Sequence, residues 1–277
     1  MIVNPLFRLT YSIYGFFKRD ALNAMSYKFE FGTSLISMFI TALSMGILGI
    51  VTQSAQATYM TKYGGMSAAT FILIGSMTNN FLIECQIAPR EIVNPGVTER
   101  ALLSPCRLPV FILGQMSWGH LWSTMNFVVY VFVGVTLFNM QLQTINATTF
   151  LVVLLLGILC MWGLGIIAAA IQLVTKRWDP ISWFFFAFTQ FASGIFYSPE
   201  ALLAFDHSGI LYSIAWCIPH TYVFDMIRQS FIGRSLTLML PSLLNLSVLV
   251  VVLFGMGWIT LRLCIRRCQV EGSLDWA

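Results

Sequence analysis

The sequence predicts an all-α integral membrane protein with six transmembrane helices, an N-terminal interfacial amphipathic helix, and re-entrant outer helices between the fifth and sixth spans. Two observations carry this expectation. Hydrophobic residues make up 58% of the 277-residue chain and charged residues only 9%, against roughly 25% charged residues in soluble domains. Between Arg107 and Lys176 there is no Asp, Glu, Lys or Arg at all. Charges this sparse cannot coat a water-facing surface. That excludes a soluble enzyme, a nucleic-acid binder and a disordered regulator, and the mean hydropathy of +0.80 agrees.

The elements follow in order. Residues 1–30 read as a surface helix. Arg8, Ser12, Gly15, Arg19, Asn23 and Ser26 recur at steps of three and four, while Leu6, Leu9, Ile13, Phe16 and Phe17 supply the opposite face. A basic amphipathic helix with large apolar residues lies in the plane of the membrane interface. From residue 31 to 277 the chain reads as one transmembrane domain. Crossing about 30 Å of hydrocarbon takes about 20 apolar residues, because the backbone must satisfy its own hydrogen bonds there. Windows whose apolar centres are free of charge place spans at 31–52, 67–87, 108–138, 149–174, 181–198 and 236–262, with Glu84 and Arg262 at span ends. A polar hairpin, Asn139 to Thr149, separates the third span from the fourth.

Between the second and third spans, residues 90–107 hold Arg90, Glu91, Glu99, Arg100 and Arg107. Asn94-Pro95-Gly96 is a turn signal, and Thr98 can cap a short helix through Glu99, Arg100, Leu102 and Leu103 that ends at Pro105. A capped helix carrying two leucines beside a charge pair suits docking in another protein's groove; a solvated loop is the plain alternative. Residues 199–234 are apolar but interrupted by Pro199, Asp206, Pro219 and Asp225. They read as two short helices that dip into the outer leaflet and return, in preference to a seventh span over 207–224.

Basic residues set the orientation. With the N-terminus inside, cytoplasmic segments hold twelve of the 15 Lys and Arg, and the outer segments hold Lys62, Arg228 and Arg234. Both termini are therefore expected in the cytoplasm, with no secretory signal peptide. The six cysteines form no C-x-x-C pair and no Cys/His spacing suited to zinc, so no metal site is expected.

Other chemistries fare poorly. Proton coupling needs ionisable groups inside the membrane, and the candidates are Glu84, close to a span end, and His120. His220 and Asp225 form H-x-x-x-x-D, a spacing that would let a membrane acyltransferase orient a base. Five residues apart they share no helical face, and no acyl-donor site accompanies them. Ser117 in GQMSWGH stands one residue too far from Gly114 for a nucleophile elbow. A passive channel or scaffold would need neither the interfacial helix nor the capped loop.

Three stretches resemble the membrane subunit of type-2 ATP-binding-cassette exporters, the family of drug, lipid and polysaccharide export permeases. GVTERALLSPCRLPVFILGQ (Gly96 to Gln115) is similar to the family's cytoplasmic segment, and SGIFYSPEALLAF (Ser193 to Phe205) to the segment at the outer end of the fifth span. IPHTYVFDMIRQSFIG (Ile218 to Gly233) resembles the family's Asn-Pro-Leu-Thr-Tyr segment, with Ile218 where Asn is common and His220 where Leu is common. Order and spacing agree over nearly the whole chain.

The resemblance implies a homodimer or heterodimer of permease subunits in a cell (inner or plasma) membrane, coupled to two cytoplasmic ATPase subunits. Thr98, Glu99, Arg100, Leu102, Leu103 and Pro105 would form the coupling segment seated in the ATPase. Phe196, Pro199, Glu200, Pro219 and Tyr222 would belong to the outer gate. A P-loop needs G-x-x-x-x-G-K-[S/T], and no Gly-Lys pair occurs here. ATP and Mg would thus be bound by the partner, with no cofactor in this chain. The candidate path carries Asn79, Asn80, Asn126 and Gln190 with the rings of Phe188 and Phe191. Amides among rings suit an amphipathic drug-like molecule or lipid, and equally suit stacking on a lipid-linked glycan. Export is implied by the resemblance alone.

Overall fold

The computed structural model describes residues 5–87, 89, 108–142, 144–175 and 180–271, and among them every regular element is helical. Five helices there are long and apolar enough to cross a membrane. Helix α1 (Pro5–Ser26) turns at Tyr27 into α2 (Lys28–Val51), which continues as α3 (Gln53–Met60) and a 3-10 turn, Thr61–Tyr63. There follow α4 (Ala68–Ile87), α5 (Leu108–Phe138) and α6 (Ala147–Thr175), with the expected hairpin between the last two. The last long helix is α11 (Leu240–Val270), entered through a 3-10 turn at Leu236–Met239.

The remaining region departs from the expected bounds. The stretch expected as the fifth span, 181–198, is helical through Ala192 only, within the 13-residue α7 (Pro180–Ala192). Gly194 then takes a left-handed φ of 76°, which ends the helix, and Pro199 follows in the turn. Residues 207–224 are not one continuous helix either. They are divided between α9 (Ile210–Ala215) and α10 (Pro219–Phe231), after the five-residue α8 (Ala201–Phe205). Pro219 explains the break: it is tolerated as a first helical residue and not in a helix interior.

The packing has α4 at its centre. Of its hydropathic window 83% is buried, against 11% for α11 and 22% for α2, so α4 is the enclosed helix and the others face outward. Leu73, Met77, Tyr130, Val153, Met161, Phe224 and Leu246 from five helices share one core. Helices α6 and α11 make the most extensive pairing, and glycine allows it. A side chain at Gly163 or at Gly257 would come within 2.8 Å of the opposing helix's backbone. Small residues at such crossings are how membrane helices gain packing without a hydrophobic drive. Helix α1 lays its apolar side on α5: Phe16 meets Phe111 edge-on at 5.2 Å, and Phe17 lies 5.8 Å from Trp118.

A polar seal as candidate functional site

Helix α10 carries His220, Thr221, Asp225, Arg228, Gln229 and Ser230, yet every residue in it except Tyr222 is buried. It packs against α4, α6 and α11. Polar groups so enclosed must find partners, because an unpaired one costs about 1–3 kcal/mol and a charge more.

Arg228 finds three, all backbone carbonyls. Its Nε donates to Phe71 O at 3.3 Å, Nη1 to Gly194 O at 2.7 Å and Nη2 to Ile195 O at 2.5 Å. The guanidinium also lies 3.5 Å from the centroid of the Phe71 ring, a cation–π contact in a desolvated place. Gly194 and Ile195 sit just past the end of α7, where carbonyls have lost their helical partners. The approach depends on Gly75, since a Cβ there would stand 2.3 Å from Nη2. Arg228 therefore fastens α4, α10 and the turn after α7 to one another.

One turn away, Asp225 gathers the donors of another set. Tyr63 Oη donates to Oδ1 at 2.7 Å, Lys62 Nζ stands 2.8 Å from the same oxygen, and Gln229 Nε2 donates to Oδ2 at 2.6 Å. Lys62 Nζ also donates to Glu200 Oε1 at 2.7 Å, and Ser198 Oγ donates to the other Glu200 oxygen. Arg234 extends the chain, with Nη1 on Gln229 Oε1 at 2.9 Å and Nη2 on Lys62 O at 3.3 Å. Burial works against the Lys62 charge, but the Asp225 carboxylate, with Tyr63 and Glu200, outweighs it and holds its pKa above the ordinary lysine range. Burial likewise opposes the Glu200 charge; the hydrogen bonds from Lys62 and Ser198 overcome it and hold that pKa below the ordinary carboxylate range. The loop before α6 closes the far end of α10. Thr144 Oγ1 donates to Phe231 O at 2.6 Å, and Thr149 Oγ1 to Arg234 O at 3.1 Å.

Of the residues expected at a gate, Glu200 belongs to this network, and Pro199 and Pro219 are buried beside it. Phe196 packs against Tyr63, Phe71 and Ile72, and Tyr222 meets Trp216 edge-on at 5.1 Å. The expected path residues are split. Asn80 and Asn126 line one cavity of about 370 Å³, where Asn80 Nδ2 donates to Tyr130 Oη at 3.2 Å. Asn79 is buried on α4 with its Oδ1 unpartnered. Phe188, Gln190 and Phe191 on α7 do not line that cavity, and Phe191 is 53% exposed. The expected coupling residues, Thr98, Glu99, Arg100, Leu102, Leu103 and Pro105, lie outside the described residues.

The H-x-x-x-x-D spacing does not assemble a base–acid pair. Asp225 spends its oxygens on Tyr63, Lys62 and Gln229, while His220 Nδ1 has no hydrogen-bond partner and the ring stands 6.0 Å from Phe224. Sequence reasoning passed over Tyr63 and Gln229 and counted Lys62, Arg228 and Arg234 only as charges of the outer segments. A signal was present: Asp225, Arg228 and Gln229 fall at steps of three and four, on one helical face of a mostly apolar region.

Apolar helices long enough to span, packed around a buried polar helix tied to its neighbours by charge, define a multi-pass membrane protein. The sequence profile of the ABC-2 type transporter family matches residues 11–232, and the chain belongs to that family: it is an ABC transporter permease. No curated protein matches it.

Two outcomes are expected. Replacing Arg228 by Met leaves the buried carbonyls of Gly194 and Ile195 without their donor and takes a second one from Phe71 O, and should lower stability by about 3 kcal/mol or more, read as a lower Tm in detergent. Replacing it by Lys should not restore the loss, because an ammonium lacks the planar fork. With pH, the depressed Glu200 pKa makes its contribution complete above the ordinary carboxylate range and lost as pH falls through the depressed value. The raised Lys62 pKa makes its contribution complete below the ordinary lysine range and lost as pH rises through the raised value. Thermal unfolding followed into the acid range should therefore show a shallower decline for Glu200→Gln than for the unmodified protein.

Proposed function

We propose that this permease is the membrane half of an exporter: it pairs with a second permease subunit, couples to two separate cytoplasmic ATPase subunits, and moves an amphipathic or hydrophobic molecule, drug-like or lipid, out across the cell membrane. Six spans, both termini in the cytoplasm, and α8 to α10 as the re-entrant outer helices complete the arrangement. ATP and Mg are bound by the partner, since the chain holds no Gly-Lys of a P-loop.

What supports this reading most is an asymmetry between the two ends of the bundle. The end expected to face outward carries the Lys62–Asp225–Glu200 network and the Arg228 clamp. The end carrying α1 instead holds open polar cavities between α1, α2, α4 and α5. A protein closed outward and open inward is poised to receive cargo from the inner side. Closure of the ATPase pair then displaces the docked 98–105 segment, and with it the second and third spans to which it connects. The turn at 198–200, held by Lys62, is the part that must release for the outer end to open.

The coupling step has a direct test. Co-purification of the permease with its ATPase subunit, followed by ATP hydrolysis in proteoliposomes, should show that Glu99→Ala/Arg100→Ala lowers both association and hydrolysis about ten-fold, a loss of about 1.4 kcal/mol. Unchanged association and hydrolysis in that variant would overturn the coupling role of this segment.

A further inference from the structure

The two cavities at the α1 end adjoin. One, of about 530 Å³, opens beside Arg19, Asn23 and Trp118; the other, of about 370 Å³, ends against Asn80 and Asn126; Ser34, Glu84 and Trp122 line both. Together they form a furrow along one face of α2, where Glu30, Ser34, Ser37 and Thr41 recur at steps of four, three and four. That face is polar on a helix otherwise apolar enough to span. From Glu30 to Thr41 the furrow runs roughly 16 Å at 1.5 Å per residue, about half of a 30 Å hydrocarbon core. A polar face at that depth is stable where it lines a wet or ligand-holding cleft.

Its charge is one-sided: the carboxylates Asp20, Glu30 and Glu84 line it against Arg19, and Arg19 is itself paired with Asp20. Thr41 Oγ1 donates to Ser37 O at 2.7 Å, and Ser123 Oγ to His120 O at 3.1 Å, so both protons are spent on the protein's own backbone. The Asn80 amide donates to Tyr130 Oη. Deeper in, Asn126 Oδ1 is an acceptor that is buried and has no partner. At the mouth, Trp118 and Trp122 stack with centroids 6.3 Å apart, amphipathic rings where a headgroup meets acyl chains.

We infer that this furrow binds the polar head of an amphipath whose headgroup carries an amine, admitted sideways from the adjacent leaflet while its tails stay in lipid. An anionic headgroup, which would stand among those carboxylates, is selected against. The inference deepens the export reading by assigning the place where cargo is first held.

The experiment needs neither ATPase nor transport, so its failure is distinct from failure of the coupling scheme. The full chain is placed in phosphatidylcholine nanodiscs and titrated with dibrominated phosphatidylethanolamine or dibrominated phosphatidylglycerol, and tryptophan fluorescence quenching is followed. The signal belonging to the furrow is the part removed by Trp118→Phe/Trp122→Phe. The ethanolamine lipid should quench that part at about ten-fold lower mole fraction than the glycerol lipid, the difference that one or two hydrogen bonds make. Thr41→Leu/Asn126→Leu, which fills the inner half, should abolish the preference. Ser37→Ala/Thr41→Val, which removes hydroxyls with little change of bulk, should weaken it in a protein of unchanged Tm. Equal quenching by the two lipids, a preference for the anionic one, or a preference that survives both variants would overturn the proposal.

Discussion

A guanidinium with no exposed surface, clamped by backbone carbonyls, is the constraint around which this molecule is arranged. Arg228 is held by the carbonyls of Phe71, Gly194 and Ile195 and by the face of the Phe71 ring. Each of those features depends on another. The carbonyls are free because α7 stops at Ala192, and the fork fits because residue 75 has no side chain. Remove the arginine and the carbonyls of Gly194 and Ile195 lose the donor that ties the turn after α7 to α4 and α10. Within a membrane protein such irregular backbone survives only where protein encloses it, and α10 lies among α4, α6 and α11 with the clamp at its centre.

Around that clamp, charge is distributed so that one face can part while the other stays. Asp225 is almost wholly buried and holds three donors, whereas Glu200 is nearly a third exposed and shares only Lys62 and Ser198. Lys62 stands between them. A buried charge stripped of its partner is costly to leave, while a half-exposed one can turn to water at little cost. In the export reading this ranks the contacts: the Glu200 side yields first, and Asp225 with Arg228 remains as the hinge. At the other end of the bundle the balance is acidic, with Asp20, Glu30 and Glu84 lining the furrow against Arg19.

Much of the architecture was legible because the bilayer imposes a length and a polarity that composition records directly. The window without charge between Arg107 and Lys176 gave two long helices with a turn between them, and the bounds of α5 match the expected 108–138. Where the expectation of a full helix over 181–198 went astray, the cause was local: an apolar run says nothing of a left-handed glycine, and Gly194 ends the helix early. The site was less legible for a different reason. Hydropathy treats Lys62 and Arg228 as charges to be kept in water, and the pairing that allows them inside is made by residues more than a hundred positions apart. Spacing could place Asp225, Arg228 and Gln229 on one face, but not show that Tyr63 and the carbonyl of Phe71 meet them there. The H-x-x-x-x-D spacing pointed to a pairing that the fold does not make, because Asp225 turns to Tyr63 and Lys62.

Backbone amide hydrogen exchange over residues 193–231, measured on the intact protein in nanodiscs, reports whether the Arg228 clamp holds this end of the bundle closed. If Arg228 holds this region closed, the amides of α10 exchange as slowly as those of α4, and Arg228→Met speeds exchange there and in the turn at 193–200 while leaving the α6–α11 pair unchanged. Rapid exchange of α10 in the unaltered protein, or a variant whose exchange in this region is the same as before, would contradict it.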